Sequence, residues 1–169
     1  MRRFLLAAWL CGISFHIASL FLLPDRVAMH FGMDGTPNGW GRPMTHVAIF
    51  VGLQTFLLLL IVVIPGVVRR TPREFVNIPN RDYWLADERL DETVSRLQEH
   101  FDLLGIILQG FVIAIGVCVT SANLSEPIRL SNHAFLPTLA IFLLSISAWI
   151  VRLSLAFRID DVAAVDGHE

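Results

Sequence analysis

The stretch FLLAAWLCGISFHIASLFLL, Phe4–Leu23, followed directly by PDRVAMHFGMDGTPNGWGRP, Pro24–Pro43, decides the fold. The first segment is an apolar run of about 20 residues, the length that crosses a ~30 Å hydrocarbon core. The second is dense in Gly, Asn, Asp, His and Trp. Two helices need only about four to six residues between them, so this connector carries more chemistry than a link requires. Val27, Met29 and Phe31 alternate with Ala28 and His30, a strand-like period. Asp34-Gly35 and Asn38-Gly39 are strong turn dipeptides, and Trp40 suits a membrane interface. A small β-hairpin-like or Ω-like loop with two turns is expected over 24–44, beginning where Pro24 stops the first helix.

Further along, the same apolar pattern recurs over Thr45–Val68, Leu103–Ala122 and Ala134–Phe157. Of the 169 residues 54% are apolar and the mean hydropathy is +0.62, above the ~45–50% of soluble domains. The fold class expected is an all-α membrane protein in a single integral domain, 1–169. It has four transmembrane helices near 4–23, 45–68, 103–122 and 134–157, and a cytoplasmic loop and amphipathic helix over 69–102. Arg2 and Arg3 precede the first run as they would a signal peptide, but no A-x-A-like cleavage site follows, so an uncleaved helix is expected.

Every basic residue besides His is Arg. Arg69, Arg70, Arg73, Arg81, Arg89 and Arg96 crowd the middle loop, whereas the first connector holds Arg26 and Arg42 and the third only Arg129. The positive-inside rule then places both termini and the middle loop in the cytoplasm and Pro24–Pro43 outside. Acids interleave with the arginines, so no nucleic-acid surface is expected. The expected partners are the bilayer and, beyond it, a membrane or cytoplasmic protein or a second copy of the chain. Cys11 and Cys118 fall inside apolar runs and are expected as packed free thiols.

In the middle loop, Asn77-Ile78-Pro79-Asn80-Arg81-Asp82-Tyr83-Trp84 leads into Leu90, Val94, Leu97 and Phe101 at helical spacing, with charges on the other faces. Asp82 is expected to cap a helix that starts near Tyr83 and runs on into the third span. His16 inside the first run, with Gln54 and Gln109, is expected to make hydrogen bonds between helices. The glycines Gly32, Gly35, Gly39 and Gly41 lack the Lys of a phosphate-binding loop and are expected to supply positive φ. No catalytic constellation emerges. No cofactor is expected; a divalent metal on His30, Asp34, His46 and His133 is the alternative. The tail after Arg158 is acidic and expected to fray.

Leu23-Pro24, His30-Phe31, Asp34-Gly35 and Asn38-Gly39-Trp40-Gly41 resemble the "P…HF…G.P.GW" signature of a bacterial membrane domain of unknown function that also occurs in SdpI-like immunity proteins. Asn77–Leu85 with Glu88-Arg89 resembles a second signature in small members of that group. The resemblance implies a bacterial inner-membrane protein that resists a secreted toxin and, in some relatives, signals by holding a repressor at the membrane. The expected function is therefore non-enzymatic: binding, sensing or resisting an extracytoplasmic ligand. The ligand-binding residues would be His30, Phe31, Asp34, Gly35, Asn38, Gly39 and Trp40. The partner-docking residues would be Asn77, Pro79, Asn80, Arg81, Asp82, Tyr83 and Trp84. An accessory subunit of a larger membrane complex and a metal-dependent membrane enzyme are the alternatives.

Overall fold

A computed structural model describes residues 1–159; the acidic tail, 160–169, lies outside the described residues. The chain forms α1 (Arg2–Ser19), a hairpin of β1 (Val27–Phe31) and β2 (Pro37–Gly41), α2 (Pro43–Arg70), a 3-10 turn (Arg73–Phe75), a four-residue α3 (Arg81–Trp84), α4 (Leu90–Asn123) and α5 (Asn132–Ala156). Among the described residues three helices, α2, α4 and α5, are long and apolar enough to cross a membrane. α1, with 18 residues, opens on Arg2 and Arg3 and packs against both α2 and α4.

Several boundaries differ from those the sequence implies. α1 stops at Ser19 rather than at Pro24, and Leu20–Leu22 continue as turns. Leu23, at the end of that stretch, is buried, so its apolar character serves packing rather than helix length. α2 starts at Pro43, whose missing N–H costs nothing at a first helical position. It runs through buried Pro65 to Arg70. No single helix begins at Tyr83: α3 ends at Trp84 and a set of turns separates it from α4. The α3 N-cap is Asn80 in the left-handed region (φ 52°), and Asp82 lies inside the helix, exposed. From Leu90 onward α4 is unbroken for 34 residues.

α4 is the centre of the bundle, packing against α1, α2, α5 and β1. Small residues let it be so. Gly105 receives Leu5 and Ile61, and Gly116 receives the His16 ring. On α1, Gly12 makes room for Gln54 in the same way. Leu5, Leu58 and Ile61 form one apolar cluster, with Trp9 and Phe101 against it. Gln109 Nε2 donates to the Gln54 backbone carbonyl at 2.9 Å, the interhelical bond its position implied, whereas the Gln54 side chain, buried against Gly12, has no hydrogen-bond partner among the described residues. His16 differs: neither ring nitrogen has a hydrogen-bond partner among the described residues, and the ring instead stacks on Phe50 at 4.6 Å. Both cysteines are free, Cys11 on an exposed face and Cys118 half-buried.

A two-stranded hairpin is marginal by itself. Here it is tied to the bundle by Asn123, the last residue of α4. Asn123 Oδ1 accepts from the Ala28 amide at 2.6 Å, and its Nδ2 donates to the Ala28 and Val119 carbonyls at 2.9 Å each. Val27 and Ala28 are fully buried at this junction. Replacing Asn123 with Ala strands both polar groups of Ala28, at about 1–3 kcal/mol for each group left unpaired. The expected result is a lower unfolding temperature in detergent and faster amide exchange at Ala28, with α5 exchange unchanged.

Candidate functional site

The two strands are antiparallel, with Val27 opposite Gly41, Ala28 opposite Trp40, His30 opposite Gly39 and Phe31 opposite Pro37, and irregular on either side of His30. The reversal is made by Asp34-Gly35 alone; Asn38-Gly39 lies within β2 and is not a second turn. Asp34 Oδ1 accepts from the Thr36 amide (3.1 Å) and the Thr36 hydroxyl (2.8 Å), closing an Asx-type turn. Gly35, at φ 79°, is the only hairpin glycine with positive φ, and the Leu130 carbonyl occupies the space a Cβ would need. Gly39 and Gly41 act otherwise, by letting the His30 and Met29 side chains lie across the ribbon.

The tip is held from the α4–α5 loop. Arg129 Nε and Nη2 donate to the Asp34 carbonyl at 3.0 and 2.8 Å, and the Leu130 amide donates to the Gly35 carbonyl at 2.9 Å. Asp34, Arg129, Leu130, Ser131, Asn132 and His133 enclose a recess of about 420 Å³. The exposed surface of the ribbon carries His30, hydrogen-bonded to Asn38 across the strands, and Trp40, whose ring is covered by the Arg26 guanidinium at 4.7 Å. Phe31 is half-buried, and Met33 at the tip is fully exposed. The side chains singled out from sequence thus share one ribbon. Asn123, Arg129 and Thr36, which fix it in place, carry no periodic or motif signal and are recognised only from the fold.

The four metal candidates separate. Asp34 and His133 line the same recess, His30 bonds to Asn38, and His46 is buried in α2 against Phe50. Among the described residues no group of three or more His, Cys, Asp or Glu side chains converges as a metal site.

The second motif lies at the opposite end of the bundle and binds the end of α5. Asn80 Nδ2 and Trp84 Nε1 both donate to the Phe157 carbonyl, at 2.9 and 3.0 Å, satisfying a helix-end acceptor that has no partner within the helix. Thr93 Oγ1 donates to the Trp84 carbonyl at 2.6 Å, joining the clamp to α4. Trp84, Leu97 and Phe157 form a buried cluster, with Tyr83 at its edge under the Arg89 guanidinium. Arg81 reaches the Glu74 carbonyl, while Asn77, Pro79 and Asp82 are exposed.

Three helices long and apolar enough to cross a membrane point to a multi-pass membrane protein, with a two-stranded ribbon at one end of the bundle. Residues 6–55, spanning most of α1, the hairpin and the first half of α2, match the family model described as Domain of unknown function (DUF1648). No curated protein and no solved structure matches the chain.

The Thr36 hydroxyl, then the Thr36 amide, hold the Asp34 carboxyl below the usual carboxylate range, with Arg129 adding to the effect. A depressed folded-state pKa contributes stability above the unfolded value, and that contribution is lost as pH falls through the folded one. The hairpin tip is therefore expected to stay closed at neutral pH and loosen in strong acid. Thr36→Val should raise the pH at which this happens, followed by NMR of the Gly35 and Thr36 amides.

Proposed function

We propose that this chain is a four-helix protein of the bacterial cytoplasmic membrane, with both termini cytoplasmic, whose hairpin binds or senses an extracytoplasmic ligand as a non-enzymatic module. The observation that carries the reading is the way the hairpin is held. Its fixing bonds go through the backbone of Ala28, Asp34 and Gly35. The side chains of His30, Asn38 and Trp40 are left exposed on a surface that does not move with each side-chain rotation. Preorganised polar and aromatic groups of this kind suit recognition, because little ordering cost remains on binding. A ribbon needed only as a connector would have no use for them.

Orientation rests on the arginines: Arg69, Arg70, Arg73, Arg81, Arg89 and Arg96 gather at the end away from the hairpin. α1 is read as the fourth span. Its 18 residues reach roughly 27 Å at ~1.5 Å each, and Leu20–Leu23 supply the remainder of the crossing. α4 would carry the signal inward, since it joins the Asn123 bond at one end to the Thr93–Trp84 bond at the other. The resemblance to SdpI-like immunity proteins supports resistance to a secreted toxin as the specific form of the activity.

Two measurements test this. In a Cys11→Ser, Cys118→Ser background, Met33→Cys should react with a membrane-impermeant maleimide in intact cells, and Glu88→Cys only after permeabilisation; the reverse pattern refutes the orientation. In a deletion strain challenged with spent medium from producing cells, the wild-type chain should restore survival. His30→Ala and Trp40→Ala should not, at equal membrane abundance, while Glu88→Gln should. Full rescue by both hairpin variants would remove the ribbon as the recognition surface.

A further inference from the structure

We propose that a two-armed groove around Arg152 on α5 binds one zwitterionic aminophospholipid, its phosphate on Arg152 and its ammonium on Glu99. Arg152 is exposed, lies about one turn before the end of α5, and forms no ion pair or hydrogen bond among the described residues. An arginine within an apolar span is costly unless it reaches a partner or the interface. The bundle supplies none, so the phosphate level of the bilayer is where its charge is satisfied.

The recess beside it has the opposite polarity ready. Arg152, Glu99, His100, Leu103 and Met1 enclose about 310 Å³, and Glu99 and Arg152 share this space without pairing with each other. His100 Nδ1 lies 2.9 Å from the Arg96 carbonyl. A carbonyl only accepts, so Nδ1 carries a proton. The ring's Nε2 is buried and without a partner. The recess therefore offers a cationic donor, Arg152, and an anionic acceptor, Glu99, with His100 in its wall. An ammonium separated from a phosphate by a short linker matches this set; a purely anionic headgroup would meet Glu99 with like charge.

From Arg152 and Ala148 two apolar recesses diverge. One, of about 250 Å³, follows the α4–α5 seam past Leu103, Ile107, Ser145 and Trp149. Through Ile107 and Ser145 it continues to the stacked Phe111 and Phe142 rings, 4.0 Å apart. The other, about 570 Å³, lies on α5 along Leu144, Val151 and Leu155. Two apolar channels meeting at one charged recess suit the two chains of a diacyl lipid. Trp149 Nε1 donates to the His100 carbonyl at 2.8 Å and fixes the floor between head and chains. α5 packs chiefly against α4 and has no buried residue, so the groove is open to the bilayer.

The site rests on the membrane reading of α5 but not on which side the hairpin faces. The test is lipid retention by purified protein, read by native mass spectrometry after exchange against equal dioleoyl-phosphatidylethanolamine and dioleoyl-phosphatidylglycerol in vesicles. One retained phosphatidylethanolamine is expected, preferred by about tenfold, the scale of one charge-assisted hydrogen bond. Glu99→Gln should remove the preference while lipid is still retained. Arg152→Gln should release both lipids, and Ala148→Trp should do the same by filling the junction. Excess glycerophosphoethanolamine, which has the headgroup without chains, should not displace the lipid. Equal retention of the two lipids unchanged by Glu99→Gln, release by the chain-free headgroup, or a lipid-free dimer each overturns the proposal. None of these outcomes depends on the maleimide labelling pattern, so the two readings fail separately.

Discussion

The pair of bonds between the Asn123 side chain and the backbone of Ala28 is the contact on which the hairpin end depends. A carboxamide presents a donor and an acceptor side by side, as a peptide group does. Asn123 thereby acts as one residue of a third strand laid along β1, at 2.6 and 2.9 Å. Without it, Ala28 would be fully buried with two unpaired backbone groups, each costing about 1–3 kcal/mol. The bond also sets where the ribbon sits, because Asn123 ends the one helix that touches every other long element. The Arg129 and Leu130 contacts to the tip then act on a ribbon already positioned at its base.

The opposite end is built on the same economy. A helix terminus leaves carbonyls without partners, and the Phe157 carbonyl takes two donors from the α3 region, Asn80 and Trp84. Asn80 adopts a left-handed backbone to reach it. Nearby, Arg2 Nη2 lies 3.0 Å from Asp102 Oδ1, with Asp102 only 2% exposed. The distance is that of an ion pair, although the angle is not that of a hydrogen bond. A carboxylate so deep requires its countercharge, and the pair brings the start of α1 to α4.

Much of this was legible in the residues. The apolar runs locate α2, α4 and α5 to within a few positions, apart from the polar extension that α4 adds at its start, and the alternation at Val27–Phe31 is a strand. What failed to show were roles assigned by distant partners. Asn38-Gly39 looks like a turn, but Asp34-Gly35, closed by Thr36, has already reversed the chain, so Asn38 is free to bond His30. Leu20–Leu23 reads as helix because apolar character alone does not distinguish a helical turn from a packed bend. Asn123 sits at the end of an apolar run with no periodicity to mark it, and its partner is 95 residues away. The Trp84 indole was visible as an aromatic near a helix start, whereas its acceptor, 73 residues on, was not.

The contrast between the two ends of the bundle also bears on where function can reside. At the motif away from the hairpin, Asn80 and Trp84 spend their polar atoms on the Phe157 carbonyl, and mutation there would act first through the seating of α5. At the hairpin the turn is closed by Asp34 and Thr36, and the ribbon is held to the bundle through its backbone by Asn123 and Arg129. The ribbon's own His30, Asn38 and Trp40 are left on the surface. His30 and Asn38 bond to each other and Trp40 lies under Arg26, and among the described residues none of the three makes a side-chain hydrogen bond to α4, α5 or the loop between them, so their replacement leaves the anchoring of the ribbon in place. By that criterion the two motifs are not equivalent, and the family-matched segment, residues 6–55, contains the one that is free to specialise.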